Sequence, residues 1–418
     1  IKRALKIDFS AGVNFSKEKF DFTVNAISEI IATFWKNRIT LVKFGRLFSK
    51  NFLRNIARLE YTKTLEDVAK TVSKPLLVLG AGEGLDTLSY SSFSPNDFFI
   101  ITVDAALAPL LARNITPDAV VTMESQIAIE KTFLGAKNKN ILLFADLCAR
   151  PEATKILGGN IIWFATKYAD GIFFDNLKKE SVIRNFIEPM GSVGLAATYI
   201  ALKIRSSSSI PVFIAGLDFS YSIGTTHAKD TMALKQRFIN SNRLTPIENY
   251  DAAFSMSTQT VMSKNGKKIC STKILLQYAQ QFKLMFQNEK NLFDCSSTGI
   301  KLGIPQRNLF ATKGNLQKEK CESHKNISSF CEKEKRKLEE LRSLLSDGEK
   351  SPFRNNLPEK LSLSKQIKKI AEEREYLFLH FPDGYRFKME QSFLKRIRAE
   401  TDFFIKQLEI AMKENKPL

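Results

Sequence analysis

The residues with the clearest chemical promise gather in the middle of the chain. Val78-Leu79-Gly80-Ala81-Gly82-Glu83-Gly84-Leu85 sets three glycines directly behind a short apolar run. A glycine-rich strand-to-helix turn lets backbone N–H groups approach a phosphate, and the following helix adds a favourable dipole. The same residues also suit a purely structural tight turn, and both readings stand. Leu85 and Asp86 occupy the positions of the third glycine of a dinucleotide fingerprint, which argues against a nicotinamide dehydrogenase. Asp104 closes the next apolar run about 20 residues on, where a ribose-binding acid stands in such folds.

Further along, Pro189-Met190-Gly191-Ser192-Val193-Gly194 opens a small-residue stretch with helical spacing. Gly191 and Ser192 offer N–H groups and a hydroxyl to an anion, or Ser192 simply caps the helix. In Ala215-Gly216-Leu217-Asp218-Phe219 a carboxylate stands at the end of an apolar run, where open α/β sheets place ligands. His227 follows in Thr225-Thr226-His227-Ala228, on an expected loop close in sequence to Asp218. It could act as a base or be an ordinary structural histidine. Asp104, Glu124 and Asp218 could hold Mg²⁺, and could equally cap strands and helices.

The elements needed to position these residues are legible around them. PLLVLGAG, FFIITVDAAL, AVVTMES, NILLFAD, NIIWFATKY and IPVFIAGLDFSY are short, nearly continuous apolar runs bounded by Gly, Pro and Asp. Such runs suit strands buried on both faces. Stretches of helical spacing lie between them, at Leu107 to Arg113 and Val193 to Ile204. The alternation predicts an α/β fold, a Rossmann-like, mostly parallel sheet with helices on both faces. STQTVMSKNGKKICST reads as a hairpin with Asn265-Gly266 in a type I′ turn.

Three domains are expected: a helical lead-in over 1–72, the Rossmann-like domain over 73–310, and a helical hairpin or bundle over 317–418. In the lead-in, Phe20 to Trp35 reads as a helix. Leu41, Phe44, Leu47, Phe48, Leu53 and Ile56 then mark the face of a helix or helix pair. In the last region, Ile327, Cys331, Leu338, Leu341 and Leu345 repeat at helical spacing, as do Phe393, Ile397, Phe404, Leu408 and Met412. Ser351-Pro352 marks a break between these helices and Pro382-Asp383-Gly384 a turn.

Composition bounds the function. The net charge of +19 favours acidic partners, but the lysines are interleaved with glutamates along the whole chain and no nucleic-acid-binding motif accompanies them. DNA is therefore not an expected partner. Five cysteines at no metal or disulfide spacing, no apolar run near the ~20 residues of a membrane span, and no signal-peptide core predict a cytoplasmic protein. The chain opens on Ile1 rather than Met, which leaves open whether a domain precedes it.

The order of motifs resembles the motility accessory factor family: the GAG turn, VDAALAPLLARNITPDAVVTMES, GSV before a small-residue helix, GLDF with THA, and SSTGIKLGIP. These proteins share a domain with an archaeal 6-hydroxymethylpterin diphosphokinase and are similar in layout to bacterial sialyltransferases. The resemblance implies a cytoplasmic glycosyltransferase moving a nonulosonic acid, pseudaminic or legionaminic in type, from a CMP-activated donor to Ser or Thr of flagellin. By position, Gly80, Gly82 and Gly84 would line the nucleotide phosphate, Asp104 and Ala105 would flank the base or ribose, and Ser192 would support the donor. Asp218 and His227 would sit near sugar and acceptor as the catalytic pair, with Thr298 and Gly299 in the family's closing turn. Two departures stand out. Gly82-Glu83-Gly84 replaces the family's Gly-Pro-Ser, putting a negative charge where a phosphate would approach, and Glu124 replaces an aspartate. A diphosphokinase-like enzyme using ATP and a pterin, or a non-enzymatic flagellin binder with a decayed nucleotide site, are the alternatives. The C-terminal helices could pack on the core, grip flagellin or pair two copies of the chain.

Overall fold

The six apolar runs become parallel strands of one sheet, because each is buried on both faces and must pair its backbone inside the protein. In this computed structural model the described residues are 3–5, 12–88, 94–137, 139–158, 160–249, 254, 257–310, 327–350 and 357–414. The strands are β1 (Lys63–Thr64), β2 (Leu76–Leu79), β3 (Phe99–Val103), β4 (Ala119–Thr122), β5 (Leu142–Asp146), β6 (Ile161–Phe164), β7 (Val212–Ala215) and, after the hairpin β8 (Gln259–Met262) and β9 (Lys268–Ser271), β10 (Leu292–Asp294). The main sheet has eight strands in the order β1-β6-β5-β4-β3-β2-β7-β10, every neighbouring pair parallel. The α/β class predicted from the sequence is the class observed.

The strand order reverses beside β2. From β2 the chain steps outward through β3, β4, β5 and β6, then returns across the sheet to place β7 on the other side of β2. Right-handed crossovers in opposite directions put their helices on opposite faces. Helix α4 (Asp104–Ala112) links β3 to β4, and α6 (Val193–Ile204) leads into β7. α6 is buried along most of its length, with Leu195, Ala197, Ile200 and Ala201 all at 0% exposure, which is why it is so rich in small and aliphatic residues.

The remaining helices are α1 (Gly12–Phe15), α2 (Lys17–Ile56), α3 (Gly84–Thr87), α5 (Ile172–Lys179), α7 (Met232–Asn240), α8 (Lys273–Phe286), α9 (Ile327–Lys350), α10 (Leu357–Glu372) and α11 (Gln391–Glu414). The stretch read as a helix or helix pair at the N-terminal end is one helix of 40 residues. Two compact units emerge: Ile1–Leu53, Ala169–Ser181 and Ser329–Lys413 in one, Arg54–Tyr168, Val182–Ser328 and Glu414–Leu418 in the other. Helical segments from both ends of the chain thus share a unit, together with α5 from the middle.

Within the helical unit, Cys331, Leu338 and Leu341 of α9 and Phe393, Ile397, Phe404 and Leu408 of α11 are completely buried, as their spacing implies. Among them lies a buried polar cluster in which Arg374 Nη2 and the Tyr376 hydroxyl both donate to the Glu334 carboxylate, at 2.9 and 2.6 Å. Glu375 accepts from the first N–H groups of α5, Ile172 at 2.7 Å and Phe173 at 3.1 Å. The turn at Pro382-Asp383-Gly384 is present, closed by Gly384 N–H on Phe381 O. The Ser351-Pro352 break lies outside the described residues.

The hairpin differs from expectation in one respect. Gly266 has φ +78°, whereas Asn265 is not left-handed, so the turn is not type I′. Ser263 N–H to Lys267 O and Gly266 N–H to Ser263 O close a longer loop, with glycine alone in the left-handed position. The Asn265 side chain instead accepts from Lys267 N–H at 3.2 Å, an arrangement that does not need positive φ.

Candidate functional site

The point of strand reversal, between the C-terminal ends of β2 and β7, is where an open α/β sheet forms a crevice. The two backbones there approach very closely. Gly80 N–H donates to Ala215 O and Gly82 N–H to Gly216 O, both at 2.8 Å. A Cβ on Gly80 would stand 2.3 Å from Gly216 O, and one on Gly216 2.5 Å from Gly80 O. Only glycine fits on either side. Gly216 at φ +71° and Phe219 at φ +48° bracket Asp218, so two left-handed residues aim its side chain back toward β2.

There Asp218 is 3% exposed and caged. Its Oδ2 accepts from Gly84 N–H at 2.5 Å. A Cβ on Gly82 would lie 2.4 Å from Oδ2; one on Gly84 would lie 2.6 Å from Oδ1, and one on Gly299 2.9 Å from it. Gly299 has φ +91° and comes from the segment after β10. Among the described residues, Oδ1 has no hydrogen-bond partner. Burial pushes the carboxyl up to about 6; the Gly84 N–H and the Lys264 ammonium oppose that rise, and Asp294 and Glu83 reinforce it.

Lys264 follows the β8 strand and is anchored by its N–H on Gly299 O at 2.9 Å. Its ammonium forms an ion pair with Asp294, the side chains being 2% and 3% exposed. Asp294 also accepts from Ser296 N–H at 2.9 Å, and Ser296 Oγ in turn accepts from Gly216 N–H at 2.9 Å. A continuous polar path therefore runs from the ion pair through Ser296 to the β7 turn. Neither Lys264, Asp294 nor Ser296 was singled out in the sequence. A lysine beside Asn-Gly in a hairpin looks solvent-exposed, and β10 is only three residues long.

The three glycine amides expected to hold a phosphate are otherwise engaged, since Gly80, Gly82 and Gly84 donate to Ala215, Gly216 and Asp218. Their glycines are required by the close approach of β7 and Asp218, so the structural side of that reading prevails for these N–H groups. Glu83 does not face open space either. Its carboxylate accepts from Ser222 N–H at 3.1 Å and Ser222 Oγ at 2.8 Å.

The other sequence candidates lie along the same strand ends. Asp104 is buried and begins α4; its carboxylate accepts from Ala105 N–H at 2.7 Å and Thr122 Oγ1 at 2.8 Å, and burial raises it to about 6. Asp146, at the end of β5 and not among the sequence candidates, is raised to about 6 by the same cause and accepts from Cys148 and Thr166 N–H. Ser192 caps α6, accepting from Gly194 N–H at 3.2 Å, and Gly191 packs against the Tyr278 ring, which a Cβ would meet at 2.1 Å. Thr298 Oγ1 is buried without a partner among the described residues. His227 Nδ1 pairs with Thr226 Oγ1 at 2.9 Å, and burial, then Arg237, hold its pKa down. Among the described residues, no hydrogen bond or ion pair joins His227 to Asp218. Nor do Asp104, Glu124 and Asp218 converge: among the described residues no group of three such side chains could hold a metal ion.

Comparison with known proteins bears on this geometry. Residues 50–224 match the family described as 6-hydroxymethylpterin diphosphokinase MptE-like. An uncharacterized protein of Treponema pallidum (strain Nichols) is 31% identical over 434 residues, spanning 97% of this chain and 74% of the relative. The chain belongs to the MptE-like family. The likeness to motility accessory factors drawn from the motif order accords with that membership. A second uncharacterized protein of the same organism is 26% identical over 232 residues, covering 55% of this chain and 47% of its own length. The solved structure of a MAf glycosyltransferase from Magnetospirillum magneticum AMB-1 is similar at a TM-score of 0.47 and 14% identity, over 89% of this chain and 61% of that one. This MptE-like chain thus spans less than two thirds of that structure. Among its described residues no helix is long and apolar enough to cross a membrane.

Proposed function

We propose that this protein is a glycosyltransferase that moves a nonulosonic acid, of pseudaminic or legionaminic type, from a CMP-activated donor to a Ser or Thr hydroxyl of flagellin. Donor and acceptor class follow the resemblance to motility accessory factors. The observation that carries the reading is Asp218, a caged carboxylate with one unpartnered oxygen at the strand reversal, titrating at about 6. A carboxylate raised to that value is ionised at neutral pH yet more basic than an exposed one, which suits a general base. Its Oδ1 takes the proton of the acceptor hydroxyl as that oxygen bonds to the anomeric carbon. The bond to the phosphate of CMP breaks, and CMP leaves with the electron pair. The amino-terminal end of α6, at Gly191 and Ser192, is the terminus that would face the departing phosphate. Asp104 and Ala105 would meet the ribose, with Thr298 and Gly299 beside the sugar. His227, held neutral and paired with Thr226, assists at most in placing the acceptor.

The family description favours a second reading, in which the same base serves transfer of a diphosphate from ATP to a pterin. Calorimetric titration with CMP, CMP-sialic acid and ATP separates the two. A ligand present at about a hundred times its Kd should stabilise the fold by roughly 2.7 kcal/mol. Binding of CMP compounds, with Asp218→Asn retaining binding but losing transfer, is the expected result. Binding of ATP alone would select the diphosphokinase. Binding of neither would leave an interaction protein and sink both enzymatic readings. His227→Ala should retain most transfer activity, and chelation with EDTA tests any need for Mg²⁺.

A further inference from the structure

A cavity lies at the opposite, amino-terminal end of the central strands, where α6 ends and the chain turns into β7. It encloses about 620 Å³, within the range of small-molecule sites. Its rim is basic: Lys70, Lys203 and Arg205 border it, against the single carboxylate of Glu289. Glu289 is already paired with Arg205 at 2.8 Å, and the same guanidinium donates to Lys290 O at 2.8 Å. Two ammonium groups are left with no carboxylate partner among the described residues. Ser206, Ser207 and Ser208 add hydroxyls, while Tyr199, Met285 and Phe286 supply an apolar wall.

The backbone here is built to turn cations toward the cavity. Lys70 is left-handed at φ +59°, a conformation that costs a non-glycine residue about 1–2 kcal/mol. It is held by its N–H on Lys203 O at 3.0 Å, next to Val72 N–H on Ile204 O at 2.9 Å. Together with Arg205 N–H on Ala201 O, these bonds satisfy three of the last four carbonyls of α6. The negative end of that helix is thereby muted where it would otherwise repel an anion. A second cavity of about 250 Å³ shares Tyr199 and Lys203 with the first and is bordered by Leu65, Glu66, Asn185, Phe186 and Ile187. Lys203 and Tyr199 thus stand between a basic, hydroxyl-rich space and one of mixed polarity.

We infer that this cavity is a second ligand site, for a small phosphate monoester with an aromatic or apolar body. The phosphate, near two negative charges at neutral pH, faces Lys70, Lys203 and the serine hydroxyls; the body lies against Tyr199 and the apolar walls. The site is independent of Asp218, so its occupancy does not depend on the transferase reading.

Calorimetry on the full chain tests it with phenyl phosphate as probe and inorganic phosphate as the comparison. Phenyl phosphate should bind more tightly than inorganic phosphate and weaken as salt is raised. Lys70→Glu with Lys203→Glu should lower its affinity by about tenfold or more. Lys70→Arg with Lys203→Arg should retain binding, which shows that the exposed positions tolerate change. Asp218→Asn should bind the probe as the parent chain does. Absence of binding, binding unaffected by the double glutamate variant, or binding lost in Asp218→Asn would each overturn the assignment.

Discussion

Replacing Asp218 by asparagine should stabilise the protein at neutral pH, and the pH dependence of that gain is the sharpest test of the site. Asp218 titrates at about 6 in the folded chain against an ordinary 3.8, because burial disfavours its charge. Below pH 3.8 the group is protonated in both folded and unfolded states and contributes nothing. Between about 3.8 and about 6 the unfolded chain gives up the proton while the folded one keeps it, so stability falls as pH rises. Above that window the cost is complete, roughly 3 kcal/mol for a shift of this size. The amide of Asp218→Asn keeps an oxygen for Gly84 N–H and carries no charge to desolvate. Asp104 and Asp146, also near 6, titrate in both proteins and cancel. Urea unfolding followed by the fluorescence of Trp163, buried in β6, should show the variant gaining about 3 kcal/mol on the parent between pH 4 and pH 7. A difference that does not change with pH would mean that Asp218 is not a desolvated carboxylate, and the general-base argument would go with it.

Three more outcomes follow from the packing. Gly84→Ala puts a Cβ 2.6 Å from Asp218 Oδ1 and 2.8 Å from Ser296 Oγ, so it should cost about 1–3 kcal/mol in urea unfolding and weaken transfer. Lys264→Met strands the buried Asp294 and should cost about 3–5 kcal/mol, much of it recovered by adding Asp294→Asn. The same change removes a cation that favours ionised Asp218, so the acid limb of any activity profile should move to higher pH. In the helical unit, Arg374→Met leaves Glu334 with Tyr376 alone and should cost a similar ~3–5 kcal/mol, read by thermal unfolding.

Much of the fold was legible because parallel strands buried on both faces leave an unmistakable trace: uninterrupted Val, Ile, Leu and Phe runs ending in Gly or Asp. Val193 to Ile204 was legible for a related reason, a helix packed on nearly all sides and capped by a serine. β1 and β10, two and three residues long, are too short to leave a pattern. Asp218 was visible as an acid at a strand end. What surrounds it was not, because Gly84 N–H meets it across 134 residues of sequence. The glycines illustrate the limit well. Their spacing announces a tight turn, but whether the space they leave admits a phosphate or another part of the chain depends on β7, which local sequence does not encode. Lys264 was missed because nothing nearby in sequence foretells its burial against Asp294.

The reversal beside β2 also fixes when the site can exist. Leu76 of β2 pairs with Val212 of β7, so β2 emerges from a ribosome long before its partner. At about 5–20 residues per second, that interval is on the order of ten seconds. The stretch between the two strands supplies β3 to β6, which can assemble on one side of β2 in the meantime. Asp218 is aimed only when β7 docks, and Gly299 closes over it only after β10 joins β7. The cage around Asp218 is therefore completed only after β10 has been made, and a nascent or truncated product ending before β10 lacks the Gly299 side of it.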